Sequence, residues 1–127
     1  MKPCCIFSYA DASTAIKHFD YDVIRDLGKE VYNDDGTIKH YNYMWDTGGR
    51  IVVRCKKCSA IFLYQWSEFH TNYGGQDSYY DNYFLVKNLD EAVLFNNKYS
   101  GFELETNFKA LRLWNSDDVW YWNKVDR

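Results

Sequence analysis

The sequence predicts an α+β fold: a mainly antiparallel sheet, built as a meander of hairpins, with one or two helices packed on it. Three observations lead there. Alternating or apolar runs, separated by turn-forming clusters, recur through the middle and the end of the chain. Two stretches carry helical spacing beside capping residues. The chain has 127 residues, 46% hydrophobic and 20% aromatic, with a single Pro. That suits one globular domain over residues 1–127, because disordered chains are poor in aromatic residues.

The elements follow in order. In "DASTAIKHFDYDVIRDLGKE", Ile16, Phe19, Val23, Ile24 and Leu27 fall near helical spacing. A helix is expected there, capped by Asp11 or Ser13 and ended by Gly28, although "YDVIRDL" also alternates as a strand would. "NDDG" at 33–36 is a turn. "TIKHYNYMW" then alternates, and "DTGG" at 46–49 turns it into "RIVVRC", which predicts a hairpin. "KKCS" leads into "AIFLYQW" and completes a three-stranded meander that buries Val52, Val53, Ile61, Phe62 and Leu63.

Residues 67–78 read as a polar loop and "YYDNYFLVK" as a further strand. Asn88 and Glu91 match a capping box and predict a helix over 89–99 that buries Leu89, Val93 and Leu94, with Gly101 as its stop. "FELETNF" alternates as a strand, and "ALRLW", "NSDD" and "VWYWNKV" form a closing hairpin whose Trp120 and Trp122 share the core side.

The formal net charge is −3 and the longest basic cluster is Arg54, Lys56 and Lys57. Nucleic-acid affinity rests on clustered Lys and Arg against phosphate, so DNA or RNA as the main ligand is disfavoured and a basic protein partner fits the sign better. The apolar stretch in "MKPCCIFSYADAS" is too short for a signal peptide or a membrane span. A cytoplasmic location is therefore expected, where thiols stay reduced.

Four cysteines, Cys4, Cys5, Cys55 and Cys58, form the one arrangement with a chemical reputation. A redox CxxC opens a helix, whose dipole lowers the thiol pKa; the run after Cys58 is apolar and strand-like instead. A CxxC at a hairpin tip brings two thiolates onto one tetrahedral ion and resembles the knuckle of zinc-ribbon proteins, with Ser59 standing where such knuckles carry Gly. Structural zinc then needs two more ligands. Cys4 and Cys5 would point to opposite faces of an extended strand, so either the chain turns there or a His (His70, His18 or His40) completes the set. The competing expectation is four reduced thiols packed as small hydrophobes.

Two other constellations stand out. Glu68, His70 and Asp77, with Ser67, have the residue types of a general acid–base site; solvated loop residues are the plainer account. In "YGGQDSYYDNYF", Tyr73, Tyr79, Tyr80 and Tyr83 interleave with Asp77 and Asp81. Tyrosine suits interfaces because its body is apolar and its tip polar, and acids beside it steer a basic partner. The functional expectation is a small non-enzymatic binding protein, zinc-stabilised, that engages a protein through this acidic, tyrosine-rich face. Small acidic inhibitors and immunity proteins act this way, as a class analogy. The alternative is a small hydrolase or nuclease using Glu68, His70 and Asp77.

Overall fold

The computed structural model describes residues 4–70 and 77–114. It has an α+β fold with a five-stranded antiparallel sheet, a separate two-stranded sheet and three helices among the described residues. The strands are β1 (Tyr21–Gly28), β2 (Glu30–Tyr32), β3 (Ile38–Tyr41), β4 (Thr47–Cys55), β5 (Ile61–Phe69), β6 (Ser78–Val86) and β7 (Leu111–Trp114). The helices are α1 (Ala12–Lys17), α2 (Leu89–Lys98) and α3 (Gly101–Asn107). The large sheet runs β1-β4-β5-β6-β7, and β2 pairs with β3 beside it.

The sheet is covered on both faces, which explains why β5 and β6 carry continuous apolar runs rather than strict alternation. On one face Val53, Cys55, Phe62, Tyr83, Leu85, Leu111 and Leu113 pack under the N-terminal segment, through Cys4, Ile6, Ala15 and Phe19. On the other, Val52, Leu63, Phe84 and Val86 meet Ala92 and Leu104 of α2 and α3. Val52, Val53, Phe62 and Leu63 are fully buried, as expected.

A row of polar side chains crosses the helix-facing side. Arg50, Gln65, Asn82 and Arg112 are register partners across β4, β5, β6 and β7. Arg50 is fully buried and donates to Gln65 Oε1 (2.9 Å), to Asn96 O and Oδ1 (3.2 and 3.3 Å) and to Tyr99 O (2.7 Å). Those carbonyls close the last turn of α2, the negative end of the helix dipole. Gln65 Nε2 reaches on to Gly101 O (3.1 Å). The corner between α2 and α3 is thus fixed to the sheet from below.

Several expectations are corrected. Residues 11–30 are not one helix. Asp11 caps the short α1 by accepting from Thr14 N (2.7 Å), and "YDVIRDL" is strand β1. Register shifts lie between Val23 and Arg25 and between Asp26 and Gly28. These bulges leave Tyr21, Ile24 and Leu27 half-buried at a spacing of three, which mimics a helical period. Ile38–Tyr41 pairs with Glu30–Tyr32 around the "NDDG" turn, not with "RIVVRC", whose partners are β1 and β5. Strand β5 continues to Phe69, so Ser67 and Glu68 are strand residues, not loop.

The helix at Asn88 forms, with Asn88 Oδ1 accepting from Glu91 N (2.9 Å). Glu91 Oε1, however, accepts from Lys87 N (3.3 Å) rather than from the capping residue. Leu94 faces solvent and Ala92 and Asn96 take the buried positions. Gly101 does not stop a helix; it begins one. "FELETNF" is α3, because Ser100 and Glu103 make the reciprocal capping box, Ser100 Oγ accepting from Glu103 N (3.3 Å) and Glu103 Oε1 from Ser100 N (3.0 Å). "ALRLW" supplies β7, while "VWYWNKV" with Trp120 and Trp122 lies outside the described residues.

Candidate metal centre and aromatic face

The β4–β5 turn carries Cys55 and Cys58. Ser59 N donates to Cys55 O (2.9 Å) and Cys55 N to Ala60 O (2.9 Å). Ser59 takes φ = +66°, a left-handed conformation that normally favours glycine. The turn therefore adopts the knuckle geometry in spite of the serine. At the N-terminus Cys4 is extended, with φ −65° and ψ 150°, and Cys5 opens a single 3-10 turn over Cys5–Ser8. That change of backbone conformation between adjacent residues turns both side chains to the same place. Ile6, buried beneath the turn, anchors it to the sheet.

The four sulfurs lie within 4.8 Å of one another. Cys4 Sγ is 3.4 Å from Cys58 Sγ and Cys5 Sγ is 3.7 Å from Cys55 Sγ. Zinc–sulfur bonds of about 2.3 Å in a tetrahedron require sulfur–sulfur edges of roughly 3.8 Å, so the donor set fits an ion of that kind. All four are free thiols. Cys4 and Cys55 are buried and Cys58 is exposed. Burial, followed by the neighbouring Cys58 and Cys55 thiols, pushes Cys4 well up, and burial raises Cys5. Burial also opposes ionisation of Cys58, but the backbone N–H groups of Cys5 and Ala60, then the Cys4 and Cys55 thiols, draw it down to about 7. A closed set of four thiolates selects a soft tetrahedral ion. Lys56, inside the knuckle, is drawn aside to Asp20 (3.5 Å) and Asp22 (3.7 Å). No histidine is drawn in: His18 stacks on Tyr9 (4.7 Å), His40 Nε2 bonds Asn96 O (2.9 Å), and His70 bonds two carboxylates.

Glu68, His70 and Asp77 do converge. His70 Nε2 is 3.1 Å from Glu68 Oε2 and Nδ1 is 3.0 Å from Asp77 Oδ2, while its backbone N–H donates to Asp46 Oδ2 (2.6 Å). The hydrogen bond to Asp77 raises the His70 pKa; desolvation opposes it, and the charges of Asp77, Glu68 and Asp46 add to the rise. Both ring nitrogens face carboxylates, which accept but do not donate, so the arrangement favours the doubly protonated ring. Ser67 is buried, its Oγ accepting from Met44 N (2.8 Å), and stands apart from this group as a structural residue.

The tyrosine-rich segment is divided between surface and core. Tyr79 is exposed and Tyr80 is half-buried, its ring 6.1 Å from that of Trp45. Asp81 accepts from the Tyr64 hydroxyl (2.5 Å), and burial raises its pKa. Tyr83 is a core residue, buried and stacked on Tyr64 at 4.3 Å, which removes it from any partner-binding face. Tyr73 lies outside the described residues.

Sequence reasoning missed the centre of the exposed aromatic surface. Trp45 is 48% exposed and Phe102 49%, their rings 5.3 Å apart, with Phe69 5.7 Å from Trp45 on the other side. Trp45 bridges to Glu68, and Asp46 N donates to Glu68 O (2.9 Å). The acidic group and the aromatic group therefore occupy one end of the sheet. Both aromatics sat in runs that alternate like strands, and the only cue to the contrary was the S-x-x-E spacing at Ser100 and Glu103.

No helix among the described residues is long and apolar enough to cross a membrane. No protein-family model, curated protein or solved structure matches the chain.

Proposed function

We propose that the chain is a small non-catalytic protein-binding domain, pinned at its N-terminus by a four-cysteine zinc centre, that engages a basic protein partner in the manner of inhibitor or immunity proteins. One observation carries the reading: exposed Trp45, Phe69 and Tyr79 share an end of the sheet with Asp46, Glu68 and Asp77. Aromatic anchors supply contact area at protein interfaces, and a carboxylate cluster steers a cationic partner and enforces its orientation. The doubly protonated His70 ring that these carboxylates favour weighs against a general base there in the hydrolase or nuclease alternative.

The test is in-cell crosslinking with mass spectrometry in the source cells, comparing the natural chain with the double variant Glu68→Lys, Asp77→Lys. The natural chain is expected to enrich basic proteins, with crosslinks near residues 45–46, 68–70 and 77–80, and the charge-reversed variant to lose them. Capture of the same proteins by a folded variant would sink the proposal.

A further inference from the structure

Beside the acidic cluster lies a groove of about 240 Å³, lined by His40, Tyr41, Tyr43, Trp45 and Phe102 and closed below by Gly101. Its volume falls under the ~300–1,000 Å³ of sites for small-molecule ligands and matches a single large side chain. Tyr41 is 46% exposed, its ring 5.4 Å from Tyr43, and Trp45 and Phe102 meet edge to face across the other side. Trp45 is held at φ = +66°. A bulky residue in that region costs of order 1 kcal/mol or more, and here the strain presents an indole to solvent rather than to the core.

No carboxylate lines the groove itself, but three belong to residues next to its lining in the chain or in strand register. Glu30 is the register partner of Tyr41, and its charge acts on Tyr43. Glu103 follows Phe102 and acts on His40, its own pKa held down by the backbone and hydroxyl of Ser100. Asp46 follows Trp45. The two cations whose charge acts on His40 are engaged elsewhere: Lys39 Nζ bonds Asn97 O (2.7 Å), and Arg50 is buried with acceptors on its nitrogens. Burial lowers the His40 pKa against the opposing hydrogen bond to Asn96, with Arg50 and Lys39 adding to the lowering.

We propose that this groove seats an arginine side chain of the basic partner, stacked on Trp45 and its neighbouring rings, with the negative charge of Glu30, Asp46 and Glu103 nearby favouring a cation. Ring faces attract cations, and arginine's planar, weakly hydrated guanidinium stacks on them better than an ammonium does. The inference rests on the binding role proposed above and names its central contact.

Titration of the ¹⁵N-labelled full chain with a triarginine peptide, observed by NMR, tests it. Triarginine is expected to shift the Trp45 indole N–H and the amides of Tyr43 and Phe102. The neutral tricitrulline counterpart should bind at least about five-fold more weakly, and Trp45→Ala should weaken triarginine by about five- to ten-fold. Trp45→Phe should retain most of the affinity. Phe102→Ala gives a second variant should Trp45→Ala lose its dispersed spectrum. Equal shifts from tricitrulline, or from a trileucine peptide, would overturn the cationic occupant. Shifts confined to Asp46, Glu68 and Asp77 would overturn the groove while leaving the acidic face as a binding surface. Silence at every site would overturn both.

Discussion

Replacing Arg50 by Met should destabilise the fold by about 3 kcal/mol. The guanidinium is fully buried and, among the described residues, meets no carboxylate within ion-pairing distance; its partners are Gln65 Oε1, Asn96 O and Oδ1, and Tyr99 O. Methionine fills similar space but leaves those acceptors without their donor. Asn96 O keeps His40 Nε2 at 2.9 Å, so three groups are orphaned: Gln65 Oε1, Asn96 Oδ1 and Tyr99 O. At ~1–3 kcal/mol for each buried acceptor, the gross loss is roughly 3–9 kcal/mol. Relief of the desolvation cost of a buried cation, worth several kcal/mol, and the added apolar burial offset part of it. A net loss of about 3 kcal/mol is a large share of the ~5–15 kcal/mol expected for a domain. In urea, with a slope of ~1–3 kcal/mol per molar, the midpoint should fall by roughly 1.5 M. Arg50→Lys should fall in between, since one ammonium cannot span Gln65, Asn96 and Tyr99 together. A Met variant as stable as the natural chain would refute the reasoning and mark the network as dispensable.

Protein purified without added metal should carry one zinc per chain by elemental analysis, and Cys4→Ser or Cys55→Ser should lose it with a lower Tm; a folded natural chain with none would remove zinc, and iron in its place would keep the site but change the ion. His70 should titrate above 6.5 by NMR, because Asp77 first and then Glu68 and Asp46 favour its protonated form. Its folded-state pKa is raised, so its contribution to stability is complete below about 6.5 and is lost as pH rises through the folded value; His70→Gln should flatten that slope, and an unchanged slope would contradict the assignment. Gly101→Ala would drive a Cβ into the Tyr43 carbonyl, a clash between backbones that should cost about 2 kcal/mol and lower Tm by roughly 8 °C; an unchanged Tm would show that α3 can shift freely.

The elements legible in the sequence were those specified locally. The KKCS turn, the strands at "AIFLYQW" and "YYDNYFLVK" and the Asn88 cap each depend on neighbours in the chain, and each formed within a few residues of where expected. The four-cysteine cluster was half legible. The CxxC spacing marks a turn, but whether Cys4 and Cys5 join it depends on a backbone change between adjacent residues that composition does not encode. The errors have physical reasons of two kinds. In β1 two bulges convert a strand's period into an apparent helical one. In α3 a run with strand-like alternation was overridden by the Ser100–Glu103 box, which places Phe102 on an exposed helix face. The pairing of β3 was misassigned because the nearer turn at 46–49 looked as good as the one at 33–36. Only the register of β4 with β1 and β5 leaves β3 without a place in the main sheet.

Strand β4 explains why the cysteines and the aromatic face belong to one design. Cys55 is its last residue and Thr47 its first, so eight steps of ~3.3 Å put roughly 26 Å between the two ends. At one end the knuckle closes on Cys4 and Cys5 and fixes the N-terminal segment over one face of the sheet. At the other, Trp45 and Asp46 lead into the strand and meet Glu68 from β5. Between them Arg50 ties the other face to the helix corner that forms the groove's floor. A metal at the first end therefore cannot touch a ligand at the second. Any effect of the metal on the proposed binding face must pass through the stability of the sheet, which makes the cysteine cluster a scaffold element.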